Sequence, residues 1–194
     1  MRFQLISLIA AATALSGCVS VLPEPDAPDA LYRIEVARDL TGLNQDLIIR
    51  EPEAPRLIAG QGIVSEASDG ALRLIPGVEW SGSATRQLQL AMIDSFVIGD
   101  EGHAVLPELG VVAPFEMASQ IKALNLEGNR AVCAMTASVV STQGRELVAR
   151  TEISANADAA SRSGRDRALA LRTAASNCAV QAAEFAISAI PATD

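Results

Sequence analysis

The C-terminal part of the chain has the pattern that most restricts its fold. Three runs typical of strands follow one another, at 115–126, 131–142 and 146–155, and short polar segments with glycine separate them. From about Ser163 the pattern changes, and small apolar residues recur every three or four positions until Pro191. They are Ala168, Leu171, Ala175, Cys178, Ala182, Phe185 and Ala189. The pattern predicts an antiparallel meander covered by one long, alanine-rich helix.

The central part of the chain predicts a strand pair that leads into another helix. Strand runs at 56–67 and 71–80 flank a Ser-Asp-Gly turn, in which glycine accepts the positive φ of a tight hairpin. Serines then offer caps for a helix over 84–98, whose apolar residues have helical spacing. The remaining strand runs are short, at 31–36 and 47–50. The expected fold class is α/β, more strictly α+β: a mostly antiparallel sheet, a central helix and a long C-terminal helix packed on one side.

Residues 99–114 lie between the central helix and the meander and lack a regular pattern. Gly, Pro, Asp and Glu are scattered through them, which is typical of an exposed loop. His103, the only histidine of the chain, belongs to this segment.

The N-terminus has the order of an export signal. Arg2 precedes an apolar stretch over 3–14, and Leu15-Ser16-Gly17-Cys18 follows. A helix that crosses a bilayer needs about 20 apolar residues, and small or polar residues interrupt this stretch after about a dozen. We therefore expect residues 1–17 to be a signal peptide.

The segment after the signal is rich in proline and acidic residues. Residues 18–30 predict an extended tether that reaches about 40 Å. Removal of the signal leaves 177 of the 194 residues, which is the size of one domain with a sizeable core. We expect that single domain at 31–191.

The charge of the mature chain excludes some classes of partner. Removing residues 1–17 takes away only Arg2, which leaves 14 Lys and Arg against 23 Asp and Glu, and Lys122 is the only lysine. Nucleic-acid binding depends on clustered basic residues. The chain is therefore not expected to bind nucleic acid, nor to dock on anionic lipid by charge.

The sequence has no recognisable catalytic or metal-binding motif. His103 has no Cys or His near it at metal-ligand spacing, and no Gly-x-Ser-x-Gly elbow occurs. Gly60-Gln61-Gly62 lacks the third glycine of a pyrophosphate loop and is better explained by a bulge or a bent strand. The expectation is no enzyme, no cofactor and no metal. A hydrolase triad that uses His103 is the catalytic alternative.

Leu15-Ser16-Gly17-Cys18 resembles the lipobox of bacterial lipoproteins. The resemblance implies that Cys18 is lipidated and becomes the mature N-terminus, where several acyl chains such as palmitate give stable anchoring. Lipoproteins with Asp after the cysteine tend to stay at the inner membrane, so Val19 implies the periplasmic face of the outer membrane. The alternative is a secreted protein with a chance cysteine near its cleavage site.

A second resemblance covers most of residues 31–190. The hairpin that ends in Ile75-Pro76-Gly77-Val78-Glu79-Trp80 and the leucine-rich helix at 86–92 resemble the auxiliary lipoproteins of ABC-type lipid transporters, the Pqi-type and Mce-associated family. Three later segments with the final helix are similar to the second half of that family: 115–118, 132–137 and 144–147. One departure is Gly60-Gln61-Gly62, which interrupts a segment that is usually extended in the family.

This resemblance implies a non-catalytic outer-membrane lipoprotein. Its partners would be an MCE-domain protein and the ABC permease and ATPase of the same system, and phospholipid is a candidate ligand. The alternative function is a stand-alone periplasmic envelope-assembly lipoprotein or a weak hydrolase.

Three residues inside the expected domain are further candidates. Trp80 is a large aromatic residue at an element boundary and a candidate partner contact, with a position in the core as the alternative. Cys133 and Cys178 both point into the predicted seam between sheet and helix. In an oxidising periplasm they form a candidate disulfide, with two buried thiols as the alternative.

Overall fold

The computed structural model describes residues 27–99 and 101–191, so Cys18 and the tether up to residue 26 lie outside the described residues. The described strands are β1 Ala30–Tyr32, β2 Leu47–Ile49, β3 Gly62–Glu66, β4 Leu72–Trp80, β5 Ala104–Val105, β6 Phe115–Glu127, β7 Arg130–Ser141 and β8 Leu147–Asp158. The described helices are α1 Arg56–Ala59, α2 Ala84–Asp94 and α3 Gly164–Ala189, with one 3₁₀ turn at Pro107–Leu109.

All these strands belong to one mixed sheet with β6 at its centre. On one side β6 pairs antiparallel with β7, and β7 pairs antiparallel with β8. On its other side β6 pairs parallel with β2 near Phe115 and with β3 near Leu126. β5 extends the sheet beyond β2, while β4 and then β1 extend it beyond β3. The predicted meander and the α+β class are confirmed.

α3 covers one face of the sheet with alanine side chains. Its first turn is capped by Ser163, whose hydroxyl accepts a hydrogen bond from the Asp166 backbone N–H at 3.1 Å. The helix contacts mainly β7 and β8. Its fully buried alanines are Ala168, Ala174, Ala175, Ala179, Ala182, Ala183 and Ala186. Such small side chains let the helix lie close to the strands, as the spacing of alanines in the sequence predicts.

An Ala182→Leu variant should destabilise the protein, because Ala182 is fully buried between α3 and the sheet. Overpacking of a close-packed site costs about 1–3 kcal/mol. Urea denaturation measures this cost as a lower midpoint. The neighbouring Gln181→Leu variant adds bulk at an exposed position and should change the midpoint little. Equal midpoints for the two variants would contradict this packing.

The structure corrects local predictions around α1 and α2. α2 ends at Asp94 instead of residue 98. Residues 56–59 form the one-turn helix α1 instead of the start of a strand, because Pro55 begins a turn in which its carbonyl accepts the N–H of Ile58 at 2.9 Å. Ser83 precedes α2 but makes no side-chain cap. The Gly60 backbone carbonyl accepts the Ala84 N–H instead, at 3.0 Å. The bulge expected near Gly62 is present between β3 and β4.

Candidate partner-binding surface

The sheet has two ends, and the N-terminal chain enters at one of them. β1 lies parallel to β4, with Ala30 opposite Val78, so the chain before Ala30 runs toward the N-terminal end of β4. That end adjoins the C-terminal ends of β3 and β6. β6 has 13 residues, so its start at Phe115 lies about 40 Å away. We call these two ends the tether end and the distal end.

The distal end carries the connection between α2 and β6, residues 98–114 without residue 100, which we call the distal loop. Four aliphatic side chains of this loop are exposed: Ile98 at 83%, Leu109 at 65%, Val111 at 40% and Val112 at 93%. Apolar side chains concentrated on one exposed segment are typical of surfaces that bind a partner. The distal loop is therefore the candidate partner-binding surface. The sequence predicted an exposed loop here but not its apolar character.

Hydrogen bonds fix both ends of the distal loop. The Leu47 backbone N–H donates to the His103 carbonyl at 2.9 Å, and the Thr142 hydroxyl donates to the Ala113 carbonyl at 2.7 Å. Gly102 lies so close to Gln45 that a Cβ at Gly102 would come within 2.4 Å of the Gln45 carbonyl oxygen. Because the loop is held at its base, its exposed aliphatic residues need less ordering when a partner binds.

Charged residues tie the distal loop to the rest of the domain. Glu108 in the 3₁₀ turn pairs with Arg86 of α2 at 3.0 Å. A hydrogen bond with its own backbone N–H, and then the charge of Arg86, lowers the pKa of the Glu108 carboxyl. The largely exposed His103 side chain places Nδ1 3.1 Å from Asp46 Oδ1. Within the described ranges, no three His, Cys, Asp or Glu side chains form a group able to hold a metal ion.

The face of the sheet away from α2 and α3 has a shallow polar cleft of about 270 Å³. Its lining includes Arg50, Gln120, Thr136 and Arg150 and contains no aliphatic residue larger than alanine. Arg50 pairs with Glu116 at 2.6 Å. The hydrogen bond to Glu116, followed by the attraction between their charges, raises the pKa of Arg50. Because charged and polar side chains make up most of this lining, the cleft gives no support for the candidate phospholipid ligand.

Trp80 lies in the core, with 1% of its surface exposed. Its backbone N–H donates to the Gln61 carbonyl at 2.7 Å, where β4 ends and the chain turns toward α2. A partner would reach this side chain only if its surroundings opened. Trp80 is therefore a core residue where the hairpin meets α2, and it does not belong to the candidate surface.

Cys133 of β7 and Cys178 of α3 meet in the buried seam, and both are free thiols in the structure. The Cys178 Sγ lies 3.5 Å from the Cys133 carbonyl oxygen. A hydrogen bond with the Cys178 thiol, and then burial, raise the pKa of the Cys133 thiol well above its ordinary value. Both residues thus lie in the seam that the sequence predicts, and their disulfide stays a prediction.

Residues 30–183 match the model of one protein family, described as the ABC-type transport auxiliary lipoprotein component. The protein belongs to this family. The match begins at β1 and extends into α3, so it includes the distal loop and both buried cysteines of the auxiliary lipoprotein. The family resemblance inferred from the sequence is confirmed.

Two crystal structures share the fold of the auxiliary lipoprotein. A DUF330-family protein from Xanthomonas campestris aligns with a TM-score of 0.72 at 15% identity, over 80% of this chain and 92% of that chain. An uncharacterized protein aligns with a TM-score of 0.63 at 11% identity, over 82% of this chain and 99% of that chain. At these identities the likeness shows the fold alone. The comparison with curated proteins found no significant match.

A helix that crosses a bilayer must be both long and apolar, and the helices of the described residues are short or carry polar side chains. None of them combines the length and the apolar character that crossing a bilayer requires.

Proposed function

We propose that the protein is a non-catalytic auxiliary subunit of an MCE/ABC-type lipid transport system that maintains the outer membrane. The family match over residues 30–183 is the observation that carries the proposal. The lipobox-like sequence before Cys18 supports a lipid anchor, and Val19 supports the outer membrane, with the domain on its periplasmic face. The partners are an MCE-domain protein and the ABC permease and ATPase of the same system.

The position of the distal loop supports a role in contacting such a partner. The chain before Ala30 runs toward the tether end, and the distal loop leads into β6 at the distal end, about 40 Å from the tether end along β6. A surface so far from the anchor stays accessible while the protein is attached to a membrane. Hydrogen bonds fix both ends of the distal loop, and its exposed side chains are apolar. The loop is therefore suited to a contact that excludes water.

Co-purification tests the proposal directly. The full-length protein, tagged at its C-terminus and extracted in detergent, should retain an MCE-domain protein and subunits of an ABC transporter, identified by mass spectrometry. Cells that express the untagged protein are extracted in the same way, and this control measures how much of each subunit is retained non-specifically. If no transporter subunit is retained, the transport role is wrong and a stand-alone envelope-assembly lipoprotein becomes the better interpretation.

A Val112→Asp variant should reduce this co-purification by about tenfold or more. Val112 is 93% exposed in the distal loop, and a carboxylate buried in an apolar contact costs several kcal/mol. The matched control is Leu72→Asp, which makes the same chemical change at an exposed leucine near the tether end. Both variants should unfold at the wild-type temperature. Equal loss of the partner in the two variants, or no loss in either, would contradict a contact through the distal loop.

A further inference from the structure

β8 gives the sheet a long free edge. It has 12 residues and pairs with β7 on one side, and no other strand of the described residues pairs with its second side. The strands at the other edges are short, with three residues in β1 and two in β5. Natural proteins keep edge strands short or place lysine or proline in them, because a free edge binds further strands. β8 is long and contains neither residue; a bulge opposite Val139 and Val140 leaves 149–158 as its regular part, and this part carries Arg150, Glu152 and Asp158.

The hydrogen-bond pattern shows which backbone groups of β8 face the free side. The Ser141 N–H donates to the Glu146 carbonyl at 2.9 Å, so the odd-numbered residues of β7 bond toward β8. Ala137 is one of these odd-numbered residues and lies opposite Thr151. The backbone groups of Thr151 therefore form hydrogen bonds toward β7. Because neighbouring residues of a strand alternate, Arg150 and Glu152 direct their backbone N–H and C=O groups to the free side.

We propose that β8 pairs with β8 of a second copy, antiparallel, about a two-fold axis at Thr151. Arg150 of each copy then stands opposite Glu152 of the other, and their outward-facing backbone groups form hydrogen bonds. A two-fold axis at Arg150 or at Glu152 would instead place like charges opposite one another, which is destabilising. Among these three centres, Thr151 is the one that places opposite charges across the axis. The contact is self-complementary and closes as a dimer.

The packing around β8 agrees with this register. Leu147 and Val148 are exposed at the start of the strand, beside the bulge in β8 and outside the regular pairing proposed here. α3 lies over β7 and β8. With neighbouring strands about 4.8 Å apart, the two copies of α3 would lie about 10 Å apart, which is the distance between packed helices. The dimer thus leaves room for both helices.

This dimer does not depend on the transport role. The two-fold axis lies near the middle of β8, and the distal loops lie at the two outer ends of the paired sheets. In the dimer the distal end of each copy adjoins the tether end of the other, and the β8 contact itself covers neither distal loop. If the dimer is absent, the binding of transporter subunits can still be tested. If that binding is absent, the dimer can still be tested.

Disulfide cross-linking of the mature lipoprotein in detergent tests the proposed register of the β8–β8 pairing. In a Thr151→Cys variant the new thiol faces the equivalent thiol of the second copy across the two-fold axis. Residues that face each other in a non-hydrogen-bonded antiparallel pair have Cα atoms about 4.5 Å apart, a distance that a disulfide spans. We expect a band of twice the monomer mass on a non-reducing gel. Asn156→Cys is the control, since this exposed residue of the same strand stands far from its own copy in the proposed register.

Charge reversal tests the contact without a cross-link. Arg150→Glu places like charges at two equivalent sites of the dimer and should raise its dissociation constant about tenfold in sedimentation measurements. The double variant Arg150→Glu with Glu152→Arg restores opposite charges and should restore the dimer. Circular dichroism melting confirms that each variant folds.

Three results would overturn the proposal. The first is a monomeric wild type with no cross-link in Thr151→Cys. The second is a stronger cross-link in Asn156→Cys, which would show another register. The third is a cross-link of Thr151→Cys to a different protein, which would show that the free edge binds a partner chain instead.

Discussion

A Cys18→Ser variant should leave the membrane fraction and accumulate in the soluble periplasmic fraction. Serine has no thiol to receive the diacylglyceryl group, so the acyl chains are missing, and the variant becomes soluble once another peptidase removes the signal. Each buried CH₂ of an acyl chain contributes about 0.8 kcal/mol to membrane binding, so several chains anchor stably. Cell fractionation with labelled palmitate measures both lipid attachment and location. The wild type should follow the outer membrane in a density gradient.

The matched control is Cys133→Ala, which removes a different cysteine and leaves Cys18 in place. It should still incorporate palmitate and sediment with membranes. If Cys18→Ser remained in the membrane fraction with its label, the anchor would lie elsewhere in the chain and the lipobox interpretation would be wrong.

Reduction should lower the free energy of unfolding of the mature lipoprotein by about 4 kcal/mol. A Cys133–Cys178 disulfide closes a loop of about 45 residues, and the chain-entropy model gives this value for that length. The two thiols meet in the seam between β7 and α3. Urea denaturation with and without reductant measures the difference. The Cys133→Ala, Cys178→Ala double variant should be insensitive to reductant.

The raised pKa of the Cys133 thiol predicts when this bond forms. A thiolate is the reactive species in thiol–disulfide exchange, and contact with Cys178 together with burial keeps Cys133 protonated in the folded protein. Oxidation by a periplasmic disulfide-bearing oxidase, which accepts the two electrons, should therefore precede the docking of α3. Alkylation of unreduced, denatured protein followed by mass spectrometry decides the matter. If Cys133 and Cys178 are both alkylated in the unreduced protein, the disulfide prediction is wrong.

Features with a local cause were predictable from the sequence. α3 begins after Ser163 because a serine caps it, and it ends before Pro191, which cannot continue a helix. Its buried stripe follows from the spacing of alanines alone. The meander was equally visible, because glycine-containing turns join strands that are neighbours in the chain and in the sheet.

Features that depend on distant parts of the chain were not predictable. The parallel pairing of β2 and β3 with one side of β6 joins residues far apart in sequence, and no local pattern encodes it. α1 was missed because one helical turn has no periodicity, and a Pro-x-x-x-x-Gly segment also fits a bent strand. The exposure of Ile98 and Val112 was hidden for another reason. An apolar residue in a loop gives no sign of whether it faces the core or solvent.

The parallel alignment of β1 with β4 determines how the domain resists a pull on its anchor. The three aligned pairs run from Ala30 with Val78 to Tyr32 with Trp80, and the chain leaves β1 along the strand direction toward the tether end. Tension from the membrane therefore loads these hydrogen bonds together, in shear, instead of opening them one after another. Even a three-residue strand then gives a firm mechanical attachment. The tether should extend fully before envelope movements disturb the sheet.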